Sequence, residues 1–216
     1  MKRLAKAWLA ALALTAAFGG GAAHARGVSL NPGAWEIGPV IRGESRSRLM
    51  PASPSPGPGR AFQIALPGPG GSLNYVTTRH GSLAGKRRIV FSYRIEAAPG
   101  VRVVPRTAPQ LPAQITLYFQ RRGDNWSGRG PFEAYRWYAT FATREPTPGS
   151  HRMVVPLTGN WTAVQHSSAR SNPAAFASAI AEAEQVGFVL GGGDGYGHGV
   201  FATGPARLIV TEFRVE

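Results

Sequence analysis

The fold is decided by the stretch VGFVLGGGDGYGHGVFATGPARLIVTEFRV, residues 186–215. Its apolar runs are separated by glycine and by the Gly204-Pro205 turn. Apolar runs of about four to eight residues bounded by glycine are typical of strands buried on both faces. We therefore predict strands at 186–190, 200–202 and 206–215.

The loop between the first two of these strands is dense in glycine. Six glycines lie between positions 191 and 199, and Asp194, Tyr196 and His198 stand among them. Glycine adopts backbone conformations closed to other residues and leaves space around its neighbours. The loop is therefore either the rim of a ligand site or a tight structural crossover.

The middle of the chain alternates apolar and polar residues in the segments 88–96, 114–121 and 132–141. A period of two is that of a strand, and a strand with one apolar face belongs to an antiparallel sheet covered on one side. We expect the polar residues of the three segments to share an outward face. The predicted core comprises Ile115, Leu117, Phe119, Trp137, Phe188 and Phe213.

One short helix is predicted at 173–185. Asn172 is a suitable N-cap, Pro173 suits the first helical position, and the alanine-rich segment that follows has high helix propensity. A single helix among many strands argues against a doubly wound α/β fold, which needs a helix after nearly every strand.

Several motifs together resemble a known group of proteins. They are LNYVTT (73–78), LYFQRRGDNWSGRG (117–130), YRWY (135–138) and VGFVLGGGDGYGHGVFATGPARL (186–208). The order resembles a group of exported bacterial proteins, with no assigned activity, whose fold is a jelly-roll β-sandwich of the galactose-binding-like type. That shape is related to carbohydrate-binding modules. The resemblance implies an all-β jelly-roll sandwich and a glycan ligand, and it carries over no catalytic residue.

The first 25 residues have the pattern of a signal peptide. A basic start precedes an apolar run at 7–18, and Ala23-His24-Ala25 is a small-x-small cleavage site. The apolar run is shorter than the ~20 residues of a membrane span. We expect cleavage after Ala25 and a single secreted or periplasmic domain at 26–216, with no transmembrane segment.

The charge balance favours an anionic partner. The chain has 24 Lys and Arg against 11 Asp and Glu, and a formal net charge of +13. Such an excess suits an acidic polysaccharide or another anionic polymer of the cell envelope. The basic residues are dispersed rather than clustered, so nucleic acid is not expected. The chain has no cysteine, and its histidines lack the spacing of metal ligands. Sugar modules of this shape commonly hold calcium, but only two aspartates are present, so we predict no metal and no cofactor.

The loop 121–129, RRGDNWSGR, is the first candidate binding site. It gathers an indole ring, a carboxylate, an amide and arginines, the mixture that sugar sites use. The alternative is that Trp126 folds back onto the sandwich and Asp124 pairs with an arginine. The predicted ligand-binding residues, from this loop and the adjoining strands, are Tyr118, Asp124, Asn125, Trp126, Arg129, Arg136 and Tyr138.

A second candidate site is the glycine-rich loop. A histidine beside a phenol could abstract a proton, as in a polysaccharide lyase. A lone histidine in a glycine-rich loop is, however, far more often a hydrogen-bonding turn residue. Asp194, Tyr196 and His198 are therefore secondary candidates, no catalytic residue is assigned, and two functions remain open. One is a non-catalytic glycan-binding module, and the other is a small glycan-active enzyme such as a lyase.

Overall fold

The computed structural model describes residues 27–192 and 197–216. The predicted signal peptide, Asp194 and Tyr196 lie outside the described residues. Three short 3-10 helices are present in the described part, at Pro32–Ala34, Gly130–Phe132 and Thr140–Ala142.

The described chain is dominated by strands. In the first half these are β1 Trp35–Gly38, β2 Val40–Ile41, β3 Glu44–Ser45, β4 Ser55–Pro56, β5 Phe62–Ala65, β6 Tyr75–Arg79, β7 Arg88–Ala97 and β8 Val103–Pro105. In the second half the elements are β9 Ala113–Arg121, β10 Arg136–Tyr138, β11 Gly149–Pro156, β12 Thr162–Ala163, α1 Pro173–Ala181, β13 Ala183–Gly192, β14 Val200–Ala202 and β15 Ala206–Val215.

Two antiparallel sheets organise these strands. The first sheet has the order β1-β6-β13-β9-β10-β12, and the second has the order β11-β7-β15-β5-β4. Two small ribbons, β2–β3 and β14–β8, complete the described pairing. Aromatic rings from the two sheets meet in one core: Phe91 of β7 stacks on Phe188 of β13 with centroids 4.7 Å apart. The architecture is all-β with one short helix, consistent with a sandwich.

The strands predicted in the 186–215 stretch are confirmed. β13 starts three residues before the predicted strand and ends two residues after it, and β14 and β15 have the predicted bounds. The six predicted core residues are confirmed as well, since none exposes more than 1% of its surface.

The helix is confirmed in position but is shorter than predicted. Asn172 Oδ1 accepts from Ala175 N (3.4 Å), and Pro173 occupies the first turn. The helix ends at Ala181 because Ala183 already begins β13, the long strand at the centre of the first sheet. Sheet pairing thus overrides the helix propensity of the last residues.

The predicted strand at 132–141 is mostly wrong. Only Arg136–Tyr138 pairs as a strand, and both ends of the predicted segment are 3-10 turns. The turn at the far end leaves Phe141, an apolar residue of the alternating segment, 45% exposed.

The expected shared outward face is also wrong. Ser92 and Arg94 lie on β7 in the second sheet, whereas Tyr118 and Tyr138 lie on β9 and β10 in the first. Alternation shows which residues of one strand share a face, but it does not show which strands are neighbours. No helix in the described ranges is long and apolar enough to cross a membrane.

Candidate functional site

Three tyrosines form a cluster on the face of the first sheet that points away from the core. Tyr75, Tyr118 and Tyr138 lie on β6, β9 and β10, and at most 7% of each is exposed. The hydroxyls of Tyr75 and Tyr138 are 2.7 Å apart, and Tyr118 is hydrogen-bonded to Thr77. Side chains alternate along a strand, so Phe119 and Trp137, the neighbours of these tyrosines, point into the core.

This tyrosine cluster is a set of protonated phenols. Burial raises the pKa of each hydroxyl above its usual range. For Tyr138, burial outweighs the opposing effect of the nearby Arg136 guanidinium on the pKa. The three phenols therefore act at neutral pH as hydrogen-bonding groups and not as bases.

Trp126 rests on the tyrosine cluster in a fixed orientation. Its ring meets Tyr75 edge to face, with centroids 5.2 Å apart, and the Arg136 guanidinium lies over it at 4.7 Å. Trp126 has φ +65°, a left-handed conformation that is uncommon outside glycine. Asp124 Oδ1 stabilises it by accepting from Trp126 N (2.9 Å), and Arg136 Nη2 donates to Trp126 O (3.3 Å).

Asp124 and Arg136 also form a buried ion pair. Arg136 Nη1 lies 2.5 Å from Asp124 Oδ2, and the side chains are 5% and 0% exposed. Gln120 Nε2 also donates to Asp124 Oδ2 (3.0 Å). Burial raises the pKa of Asp124, and it outweighs the opposite effect of Arg136. Both carboxylate oxygens are engaged, so Asp124 acts as a support for Trp126.

A cleft of about 830 Å³ opens beside Trp126. The basic side chains that line it come from separate parts of the chain, namely Arg46, Arg48, Arg106, Arg136 and His198. Tyr75, Tyr138, Asn74 and one acidic residue, Glu44, also line it. The cleft therefore combines an indole ring with several cationic groups.

Two sets of hydrogen bonds bring these segments together. Ser47 Oγ donates to Gly38 O (2.6 Å) and accepts from Asn74 N (2.9 Å), which ties the 46–48 segment to the start of β6. On the other side, Arg106 N donates to Gly199 O (2.9 Å), and Arg106 Nε donates to His198 O (3.2 Å).

Few described acidic residues neutralise the arginines of the cleft. Arg46 lies 3.9 Å from the exposed Glu44, and neither Arg48 nor Arg106 forms an ion pair with a described acidic residue. Asn74 is 9% exposed, and its Oδ1 has no hydrogen-bond donor among the described residues. Among the described residues, the cleft thus offers two arginines without an acidic partner, Arg48 and Arg106, and one unsatisfied acceptor.

The outer face of the second sheet is different, because its charges are paired. Glu96 is bridged by Arg94 and Arg207, each at 2.5 Å, and Glu212 contacts Arg152 and Arg214. Near the chain end, Arg88 lies 2.6 Å from Glu216. This face has its own counter-ions, whereas Arg48 and Arg106 in the cleft have none among the described residues.

Only some of the residues predicted for the site line the cleft. Trp126, Arg136, Tyr138 and His198 line the cleft. Tyr118 and the Asp124 side chain are buried and do not line the cleft.

Two further predicted residues, Asn125 and Arg129, are exposed on the loop and do not line the cleft. Asn125 Oδ1 accepts from Ser127 N (2.9 Å), a bond within the loop.

Sequence reasoning missed Arg46, Arg48, Asn74, Tyr75 and Arg106. They come from three segments far apart in sequence, so no spacing signal joins them.

No group of three or more His, Asp or Glu side chains in the described ranges could hold a metal ion. No protein-family model matches the chain, and no curated protein is similar to it in sequence. The geometry of the cleft is therefore the basis for a functional assignment.

Proposed function

We propose that this protein is an exported, non-catalytic module that binds an acidic glycan in the cleft beside Trp126. The observation that carries the proposal is the joint placement of a half-buried indole ring with Arg48 and Arg106, two exposed arginines that have no described ion-pair partner. An aromatic ring packs against the apolar face of a pyranose, and guanidinium groups bind the carboxylate of a uronate.

The preorganised support of Trp126 favours binding. The Arg136 guanidinium lies over one face of the ring and Tyr75 meets it at nearly a right angle, so little side-chain entropy is lost when a sugar packs on it. Cleavage after Ala25 would leave 21 basic and 11 acidic residues, and the resulting net charge of +10 adds a long-range attraction for an anionic polymer of the cell envelope.

The finer fold and the location belong to the same proposal. An all-β architecture with two antiparallel sheets supports a jelly-roll, galactose-binding-like sandwich, the shape of many carbohydrate-binding modules. The N-terminal pattern supports export with cleavage after Ala25, and N-terminal sequencing of the secreted protein tests it.

Calorimetry with a uronate-containing polysaccharide and its carboxyl-reduced, neutral form tests the proposed function. The wild type should bind the acidic form, and Trp126→Ala should weaken binding by ~30-fold, since an aromatic anchor contributes about 2 kcal/mol. Phe141→Ala, which removes an exposed aromatic ring outside the cleft, is the matched control and should bind like the wild type. Equal binding by Trp126→Ala and the wild type would remove Trp126 from the site.

One observation favours a second function, a lyase acting on the same acidic glycan. His198 lines the cleft together with Arg46, Arg48 and Arg106. In such a reaction a base removes the proton next to the uronate carboxyl, a C=C bond forms, and the glycosidic C–O bond breaks as its oxygen leaves with the other sugar and takes up a proton. Incubation with the polysaccharide would then produce an unsaturated product with ultraviolet absorbance, and His198→Ala would abolish it. Binding without any such product favours the non-catalytic module.

A further inference from the structure

A second pocket adjoins the cleft at Trp126, which lines both. It is small, about 240 Å³, and its other lining residues include Glu36, Gln120 and Glu184. Glu36 lies on β1, and Glu184 lies on β13. We refer to it as the acidic pocket.

The charge of the acidic pocket is opposite to that of the cleft. No described basic residue forms an ion pair with Glu36 or Glu184. Arg121 also lines the pocket, but it is engaged by Glu182 at 2.8 Å. A carboxylate entering this pocket would meet two carboxylates without counter-ions, which is repulsive.

A buried acceptor also lines the acidic pocket. Gln120 is 5% exposed, and its Oε1 has no hydrogen-bond donor among the described residues. Its Nε2 is already bonded to Asp124 (3.0 Å). A buried polar atom without a partner is costly, and a ligand hydroxyl or amide N–H would satisfy it.

From this charge contrast across Trp126 we infer that the protein selects glycans whose acidic units alternate with uncharged ones. The inference rests on the proposed function, since it assumes that a glycan lies in the cleft. The acidic unit lies in the cleft near Arg48 and Arg106. The neighbouring unit, an uncharged sugar with hydroxyl or amide donors, lies in the acidic pocket against Gln120, Glu36 and Glu184.

The test compares two acidic tetrasaccharides by calorimetry at one ionic strength. One alternates glucuronate with N-acetylglucosamine, and the other is tetragalacturonate, in which every unit is acidic. The wild type should bind the alternating tetrasaccharide at least ~10-fold more tightly than tetragalacturonate. In tetragalacturonate a second carboxylate would lie against Glu36 and Glu184, and such like-charge contacts are strongly unfavourable.

A double variant isolates the acidic pocket. Glu36→Gln with Glu184→Gln should tighten tetragalacturonate binding by ~10-fold and change binding of the alternating tetrasaccharide much less. Glu133→Gln with Glu145→Gln makes the same change in net charge at exposed positions outside both pockets, and it should not tighten tetragalacturonate binding to this extent.

The outcomes separate the two claims. Equal binding of the two tetrasaccharides by the wild type, or tighter binding of tetragalacturonate, overturns the selectivity while leaving the proposed function intact. An equal gain of tetragalacturonate affinity in both double variants also overturns the selectivity, because the change in net charge would then be the cause. If the wild type binds neither tetrasaccharide nor any longer uronate polymer, the proposed function itself fails. The wild-type comparison remains decisive even if a double variant does not fold.

Discussion

At the scale of single residues, the Asp124–Arg136 pair has the largest structural role in the site. It is buried, and it holds both the backbone and the ring of Trp126. We predict that Asp124→Ala lowers the free energy of unfolding by about 3–5 kcal/mol, since it leaves a buried guanidinium unpaired. Glu182→Ala, which removes the exposed partner of Arg121, is the control and should cost less than about 1 kcal/mol. Denaturant unfolding measures both, and similar losses would contradict the role assigned to the buried pair.

The buried phenols predict a specific loss of stability at alkaline pH. Burial raises the pKa of Tyr75, Tyr93, Tyr118 and Tyr138 above the ordinary value of 10.0. Above that pH the unfolded chain releases phenolic protons that the folded chain retains, so the free energy of unfolding falls as pH rises. Tyrosinate absorbance of these four residues should appear together with unfolding. Tyr75→Phe should make the fall in the free energy of unfolding with pH shallower. Ionisation of all four phenols near pH 10 in the folded protein would refute the prediction.

At the scale of elements, the single helix depends on its N-terminal cap. Asn172 accepts from Ala175 N, and Phe176 on the next turn packs against Phe119 and Trp137 with centroids 5.9 and 4.9 Å away. Asn172→Ala should therefore lower the free energy of unfolding by about 1 kcal/mol. Ser178→Ala, on the exposed face of the same helix, should leave it nearly unchanged. Thermal unfolding distinguishes the two, and equal effects would argue against the cap.

The elements also show what the sequence can and cannot predict. Strands such as β15 are long and apolar, and α1 has a clear cap and a proline, so local pattern was sufficient for them. The segment around Trp137 alternates from Ala134 to Phe141 but forms a strand of only three residues, and a 3-10 turn at Thr140–Ala142 takes the chain out of the strand conformation. Strand order is set by contacts distant in sequence, which periodicity does not encode.

At the scale of the whole molecule, the unpaired charge is distributed unevenly. The outer face of the second sheet pairs its arginines with glutamates, whereas the cleft on the first sheet has arginines without described acidic partners. Sequence alone predicts an anionic ligand from the charge balance and a ligand contact at Trp126 from the 121–129 loop. It could not show the cleft, because Arg48, Asn74 and Arg106 meet only through the folded chain.

The most direct test of the central claim is the affinity of Arg48→Gln with Arg106→Gln for a uronate-containing polysaccharide. We predict that calorimetry will show a loss of affinity of at least ~10-fold, because charge-assisted hydrogen bonds to the carboxylate are lost. The affinity that remains should depend less on salt concentration. The control is Arg60→Gln with Lys86→Gln, which removes two positive charges at exposed positions outside the cleft and should bind within about twofold of the wild type. An equal loss in both double variants would show that net charge, and not the cleft, holds the glycan, and unchanged binding in the cleft variant would contradict the site.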